Sequence, residues 1–576
     1  DYFKLGFSRH NSYKHFPFKW KESSEYKNIA DFYQDTIRSC YQLQWEKLNF
    51  DEIRKLTESS LMYVFEVYNK DFSAQSSGAK NLHTLYFQSL FFKENLENKD
   101  GVIFKLSGGG EIFFRPKTKK EKLGERKDSK GKSVVRNKRY SKDKMFLHFP
   151  IELNYARSQE GNFNAHINNF LANNSDINII GVDRGEKHLA YYSVINQKGE
   201  VLESASLNEV NGVNYAEKLE ERAKKREQER KDWQTIEGIK DLKKGYISQV
   251  VRKIADLAIK HNAIVVFEDL NMRFKQIRGG IEKSIYQQLE KALIEKLSFL
   301  VEKGEKDASK AGHLLKAFQL AAPIESFQDM GKQTGILFYT QAAYTSKIDP
   351  VTGWRPSLRL KYTNAEKAKA DILKFSKIEF KNQRFEFTYD IKNFRDQKEW
   401  QEKTKWTVCS CVERFRWNRN ANNNKGGYDH YEDLTENFKS LFTQKGLHIA
   451  EGEDILKQIR SLEAKGNEKF FKEFTFLFNL ICQIRNTDDS EKAKKEEKDD
   501  FILSPVEQFF DSRNKNDKDL PKNGDDNGAY NIAKKGVILL QRISEFKNKN
   551  SSCKKMTLGD LYISDVQWDN FAQKDR

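Results

Sequence analysis

Residues 263–267, AIVVF, form an unbroken apolar run rich in β-branched side chains, and it ends in two acids, Glu268 and Asp269. β-Branched residues favour strands, and a strand without polar alternation is covered on both faces, so this segment is predicted to be a central strand of a sheet. The run is preceded by Leu242, Tyr246, Val250, Ile254 and Leu257, whose spacing predicts an amphipathic helix, and followed by a second stripe, Ile285, Leu289, Leu293, Leu297 and Leu300. Upstream, INIIGVD, HLAYYSVIN and QKGEVLESAS read as a three-stranded meander over 177–204, its first strand ending at Asp183. Downstream, Ala529, Ile532, Gly536, Leu539 and Ile543 share one face of a predicted closing helix.

At 576 residues the chain is too long for one ordinary domain, and three or four compact units are expected. Hydrophobic residues at 38% and 42 Phe exclude global disorder. A mean hydropathy of −0.80 with no apolar stretch near the ~18 residues of a membrane span excludes an integral membrane protein. The net charge of +17 favours a polyanionic partner, with nucleic acid first. The five cysteines, Cys40, Cys409, Cys411, Cys482 and Cys553, are scattered and form no C-x-x-C pair, which points to reduced thiols and the cytosol. If WTVCSC is a strand, Cys409 and Cys411 share a face, as packed small side chains or as part of a zinc site. The chain opens at Asp1 and reads as a piece of something longer.

Residues 1–100 alternate aromatic runs with polar breaks. There, YVFEVYNKDFS and NLHTLYFQSLFF predict strand, turn and helix. From Arg115 to Lys144, fourteen Lys/Arg face four Asp/Glu, with Gly124 and Gly131 between them: a flexible basic arm, either a solvated loop or a phosphate-binding segment. Strand character returns in MFLHFPIELNY. The segment VNYAEKLEERAKKREQERKDW is charged nearly all round, as in a helix that bridges lobes or lies along a polyanion. From Pro323 to Asp519 short strands such as FEFTYDI and KWTVCSCV, separated by NANNNKGG and DDSEKAKKEEKDD, suggest an inserted domain.

Meander, helix, strand and terminal helix is the order of the ribonuclease H-like fold. In such a sheet Asp183 and Glu268, at the ends of buried strands, and Asp525, before the final helix, can converge to hold Mg²⁺ or Mn²⁺, and a two-ion site activates water at a phosphodiester. The competing reading is that the three are ordinary loop acids.

GVDRGEKHLAYYSVI, EGIKDLKKGYISQVV, IVVFEDLNMRF, TSKIDPVTGW, QIRNT, SPVEQFFDSRN and DDNGAYNIAKKG together closely resemble the carboxy-terminal half of type V-A CRISPR RNA-guided DNA endonucleases. Among them, GVDRGE, VVFEDLN and DNGAYNIA resemble that family's three RuvC motifs in order. The resemblance implies a multidomain α/β protein: an RNase H-like (RuvC) core with an inserted Nuc domain, preceded by α+β PAM-interacting and β-rich wedge segments. The implied division is 1–100 remainder of the PAM-interacting domain, 101–175 wedge, 176–224 RuvC-I, 225–244 bridge helix, 245–322 RuvC-II, 323–522 Nuc and 523–576 RuvC-III. It implies that Asp183, Glu268 and Asp525 bind two Mg²⁺ (or Mn²⁺) ions and hydrolyse both DNA strands. Asp526 stands where the family usually has Ala, so either neighbour could be the ligand; Asp525 is preferred.

By the same resemblance Arg485 and Asp500 match Nuc-domain residues, and Arg485 steers or stabilises substrate DNA; its competing reading is a buried structural Arg. Trp233 matches the bridge-helix residue that anchors in the recognition lobe. Arg273, Phe274, Lys275 and Arg278 of MRFKQIRGG match the lid that meets guide and target strands, against a simple loop. In the wedge, Lys132, Lys138 and Arg139 are candidates for the guide handle, and Arg136 aligns with a processing lysine. No His precedes a Pro between Arg115 and Lys144, which puts processing of precursor guide RNA in doubt. His188 reads as a packed residue or one behind the ligands. The implied partners are a guide CRISPR RNA, duplex and single-stranded target DNA, and an amino-terminal recognition lobe outside this sequence; no membrane is implied, and the setting is the prokaryotic cytoplasm and antiviral defence.

Two rival readings use the same residues. A transposon-type RuvC nuclease or junction resolvase would need no guide, and a non-catalytic nucleic-acid-binding module would keep its activity in Asp183→Ala.

Overall fold

In the computed structural model the described residues are 21–39, 49–59, 80–97, 103–106, 111–117, 125–127, 133–135, 142–148, 150–153, 163–184, 190–231, 240–269, 283–324, 330–342, 344–421, 426–496, 498–506, 509–514, 519–549 and 556–574. They fall into two compact units, Asp1–Arg157 with Val301–Ala317, and Ser158–Leu300 with Phe318–Arg576, where length alone suggested three or four.

The first unit carries short helices, among them Leu82–Ser89 as the LHTLYFQS pattern predicts, and short antiparallel pairs. Phe104–Leu106 pairs with Ile151–Leu153, and Glu111–Arg115 with Lys144–His148. The basic arm is not wholly irregular: Glu125–Lys127 pairs antiparallel with Ser133–Val135, because a segment ending in two β-branched valines can satisfy its backbone groups in a ladder despite the surrounding charge. Residues 63–73, read as a strand, lie outside the described residues.

The second unit is built on a five-stranded sheet. We label its strands β1 (Asn178–Asp183), β2 (Tyr191–Ile195), β3 (Val201–Ser206), β4 (Ala263–Asp269) and β5 (Leu337–Gln341); the order across the sheet is β5-β4-β1-β2-β3. β1, β2 and β3 form the expected antiparallel meander. β4 runs parallel to both β1 and β5, and Ala263–Phe267 are fully buried, as a central strand without alternation must be. A parallel return needs a long crossover, supplied by α1 (Lys240–Lys260), which packs against α2 (Lys283–Ser298).

The closing helix, α4 (Gly524–Lys549), differs from its sequence reading. It is buried on every side from Gly524 to Leu540, not along one stripe, because it lies across β1 and β2 and is covered in turn by other chain segments, including the helix Phe163–Ala172. Its approach to the sheet is close. A Cβ on Gly181 would fall 2.1 Å from the Ala529 carbonyl oxygen, so only glycine admits the helix backbone at that point of β1. Asn164, on the helix Phe163–Ala172, donates to the Gln333 carbonyl at 2.9 Å and accepts from the Gly335 amide at 2.8 Å, which groups that helix with the sheet.

Residues 354–510 supply a second core, separate from the sheet's and rich in phenylalanine. Strand Arg384–Asp390 forms as FEFTYDI predicts, pairing with Lys377–Lys381 and Lys405–Cys409. That last strand stops at Cys409, so Cys411 does not share a strand face with it; the chain instead turns out of the ladder at Ser410, whose hydroxyl caps the Phe385 amide at 2.9 Å. Within the charge run DDSEKAKKEEKDD, Ser490 caps a short helix, Glu491–Lys495, through the Ala493 amide at 3.2 Å. The long helix α3 (Glu468–Ile481) leads from this core to a two-stranded ribbon, Arg485–Thr487 against Asp500–Ile502. Among the described residues no helix is long and apolar enough to cross a membrane.

Candidate nuclease site

The register of β1 and β4 brings two of the expected acids together. The pairing Phe267↔Val182 places Glu268 beside Asp183 one step further along, and neighbours in register on parallel strands project to the same face. Both strands end there, where the ladder gives way to loops. Asp183 is buried and Glu268 is half-buried.

The third acid arrives on the first turn of α4. Asn523 caps this end, its side-chain oxygen accepting from the Asp526 amide at 2.8 Å. The positive end of the helix dipole favours carboxylates in this turn, which holds Asp525 and Asp526. Gly528, one turn on, lies against Asp183: a Cβ there would fall 2.1 Å from Asp183 Oδ2. Glycine at this position therefore lets the helix start reach the strand end.

Adjacent positions on a helix point about 100° apart, and the two neighbouring acids diverge accordingly. Asp525 accepts from Arg485 Nη2 at 2.8 Å, and its charge acts on Asp183. Asp526 accepts from the Lys522 amide at 2.9 Å and from Ser204 Oγ on β3 at 3.5 Å. Burial pushes the Asp526 carboxyl up to about 6.

Arg485 joins the phenylalanine-rich core to the acids. Its guanidinium grips Asp500 with two hydrogen bonds, Nε to Oδ1 at 2.9 Å and Nη2 to Oδ2 at 2.8 Å, and reaches Asp525 with the same Nη2. Burial works to lower its pKa, but Asp500 and Asp525 outweigh burial and hold it above the ordinary value. The two sequence readings of this residue meet here: Arg485 is structurally tied, yet 29% of its side chain stays exposed beside the acids.

Several supporting residues were not singled out from sequence. Thr345 donates to Glu268 Oε1 and Arg184 donates to the Glu268 carbonyl, so that acid is held from both ends. Arg184 also pairs with the buried Glu290 on α2 and sits over Phe267 and Tyr286, its Cζ 5.5 and 5.7 Å from the ring centroids. Asn531 Nδ2 donates to the Thr345 carbonyl at 3.0 Å, and Lys535 Nζ to the Gln341 carbonyl at 2.8 Å. Burial pulls the Lys535 ammonium down to about 8, against the opposing pull of Glu268. A signal was present for Glu290, a charge directly after Leu289 of an apolar stripe, and for Thr345 in TSKIDPVTGW.

The acids suit a divalent cation in charge. The Asp183 carboxyl is held well above the ordinary carboxylate range, first by burial and then by Glu268 and Asp525, and a cation between them would relieve both effects. Among the described residues no three His, Cys, Asp or Glu side chains already stand as a group that could hold a metal ion; the acids converge without closing, with Asp525 turned to Arg485.

The other expected site residues, Lys132, Arg136, Lys138, Arg139, Trp233, Arg273, Phe274, Lys275 and Arg278, lie outside the described residues, as does His188. The charged helix before Trp233 is present as Tyr215–Lys231. Burial raises the thiol pKa of Cys411 and pushes that of Cys482 up to about 12, and Cys409, Cys411 and Cys482 are all free cysteines. Cys40 and Cys553 lie outside the described residues.

A mixed sheet whose two central strands end in acids, closed by a helix that brings a third, is the architecture of an RNase H-like nuclease. The RuvC nuclease domain family matches residues 157–576, and the chain belongs to that family. Residues 1–41 match the PI domain of the CRISPR-associated endonuclease Cpf1, and the two matches together identify a type V-A-like carboxy-terminal region. The protein is thus a nuclease of the CRISPR-associated class, and RuvC nucleases generally use divalent metals.

Proposed function

We propose that the chain is the DNA-hydrolysing part of an RNA-guided endonuclease, with Asp183, Glu268 and Asp525 as the ligands of two Mg²⁺ or Mn²⁺ ions. The observation that carries this reading is the approach of Asp183, Glu268 and Asp525 from two parallel strand ends and one helix start. When bound, such ions supply a water nucleophile at neutral pH and stabilise charge on the leaving oxygen. The chain's own residues prepare the place. Thr345 and Arg184 fix the position of Glu268, and Gly528 leaves room for Asp183.

Arg485 contributes a charged fork suited to phosphate, and Asp500 orients it. Asp525 is the ligand in preference to Asp526, whose carboxylate faces Ser204 and the Lys522 amide. Target choice would rest on pairing with a guide RNA, the protein reading backbone shape and the short duplex motif. In this reading the guide handle is bound by Lys132, Arg136, Lys138 and Arg139, the lid is formed by Arg273, Lys275 and Arg278, and Trp233 anchors a recognition lobe supplied by the rest of the protein. The division into PAM-interacting, wedge, RuvC, bridge-helix and Nuc segments belongs to the same proposal, as does the prokaryotic cytoplasm.

The test is incubation of the chain with and without guide RNA, Mg²⁺ and a recognition lobe added in trans, against duplex and single-stranded DNA. Cleavage that needs Mg²⁺ and is lost in Asp183→Ala and Glu268→Gln is expected. Undiminished cleavage by either variant overturns the assignment.

A further inference from the structure

Directly before Thr345, which donates to Glu268, stands an aromatic residue in an unusual backbone conformation. Tyr344 has φ +57°, in the left-handed region that bulky side chains rarely adopt. Its ring lies on the Arg355 guanidinium, with Cζ 3.6 Å from the ring centroid, and Arg355 is in turn held by the buried Asp569 at 2.6 Å. The Trp568 indole N–H donates to the Tyr344 carbonyl at 3.4 Å. Ring and backbone are thus both anchored, yet Tyr344 is 45% exposed.

The next residue is Thr345, which donates to Glu268 and is itself tied to α4 through Asn531. A strained conformation of this kind persists only where surrounding contacts impose it. Here the contacts fix a half-exposed aromatic one residue from the support of an expected ligand. Exposed rings backed by a cation are stacking surfaces for bases, and they accept any base because every base has a π-face. An unpaired base can turn its face to such a ring, whereas a base within a duplex is already stacked on both sides.

We propose that Tyr344 is a stacking platform for an unpaired base of single-stranded DNA and positions that strand at the acids, an inference that rests on the nuclease reading above. The chemistry is sequence-tolerant. It sets where along the strand the phosphate meets the acids rather than which base is chosen.

The experiment measures binding of single-stranded oligonucleotides carrying 2-aminopurine to the full chain, with Ca²⁺ replacing Mg²⁺ to prevent cleavage. Tyr344→Asn removes the ring while tolerating the left-handed backbone, so the fold is kept. It is expected to weaken binding about five- to a hundredfold and to abolish 2-aminopurine quenching, while Tyr344→Phe retains both. An abasic site scanned along the strand should, at one position, weaken binding to the wild type but not to Tyr344→Asn. Wild-type affinity in Tyr344→Asn, or an abasic penalty equal in both proteins, overturns the proposal. Failure of the nuclease reading is seen separately, as cleavage persisting in Asp183→Ala.

Discussion

The two cores of the second unit are made of different side chains, and each composition fits what its core carries. Around the sheet the buried residues are mainly aliphatic or small, such as Ile179, Ile180, Val265, Val266, Ala529 and Ala533. The other core interlocks Phe375, Phe385, Phe387, Phe438, Phe442, Phe474 and Phe478, with ring centroids 4.9 Å apart for Phe375–Phe478 and for Phe385–Phe442. Small residues let a helix backbone approach a strand closely, which brings the start of α4 to the strand ends. Large rings fill volume between short strands and prefer edge-to-face contacts, which steadies a scaffold with little regular sheet. One core thus assembles acids, and the other presents an arginine to them.

The largest expected effect lies on the acid side. Asp183→Ala should reduce cleavage by about 10³-fold while leaving DNA affinity unchanged, as read by single-turnover kinetics and binding titration. In the aromatic core, Phe387→Ala should cost about 3–5 kcal/mol in denaturant unfolding, because the fully buried ring leaves a cavity. Hydrogen exchange sharpens the contrast: protection should fall around residues 377–409, and an equal fall in β4 would show that the two cores unfold as one.

Gly528→Ala tests close approach directly. Its Cβ would displace the Asp183 carboxylate, so cleavage should drop about 10²-fold with a smaller loss of stability; an active Gly528→Ala would mean the helix start can retreat without cost to the site.

A further effect is one of pH and acts on stability rather than on cleavage. The buried Asp526 carboxyl has a folded pKa of about 6 against the ordinary 3.8, so the native state binds the extra proton between those values. Stability from this group is complete below about pH 3.8 and declines as pH rises through 6. Asp526→Asn should remove that decline, gaining up to about 3 kcal/mol at pH 8 relative to pH 4, measured as the difference in thermal midpoints between the two proteins.

Much of the sheet was legible in the amino-acid order because burial on both faces leaves a run such as AIVVF with no alternation, while a meander leaves short runs broken by turns. The acids at Asp183 and Glu268 were legible for the same reason, as charges ending apolar strands. Asp525 was less so, since Asp526 beside it is as acidic; helix geometry separated them by turning one to Arg485 and the other to Ser204. Arg184, Thr345 and Asn531 left little trace, because their roles depend on contacts between segments far apart in the chain.

The chain alone therefore determined the meander, β4, α1 and α2, and the charges that end β1 and β4, since those follow from local spacing and burial; β5, within the stretch from Pro323 that was read as inserted, joined the sheet only in the folded structure. Tertiary structure decided that α4 is buried all round, that Gly528 meets Asp183, and that Arg485 spans Asp500 and Asp525. Each of these depends on the distance between elements, and that distance is set by packing volumes which no local pattern records.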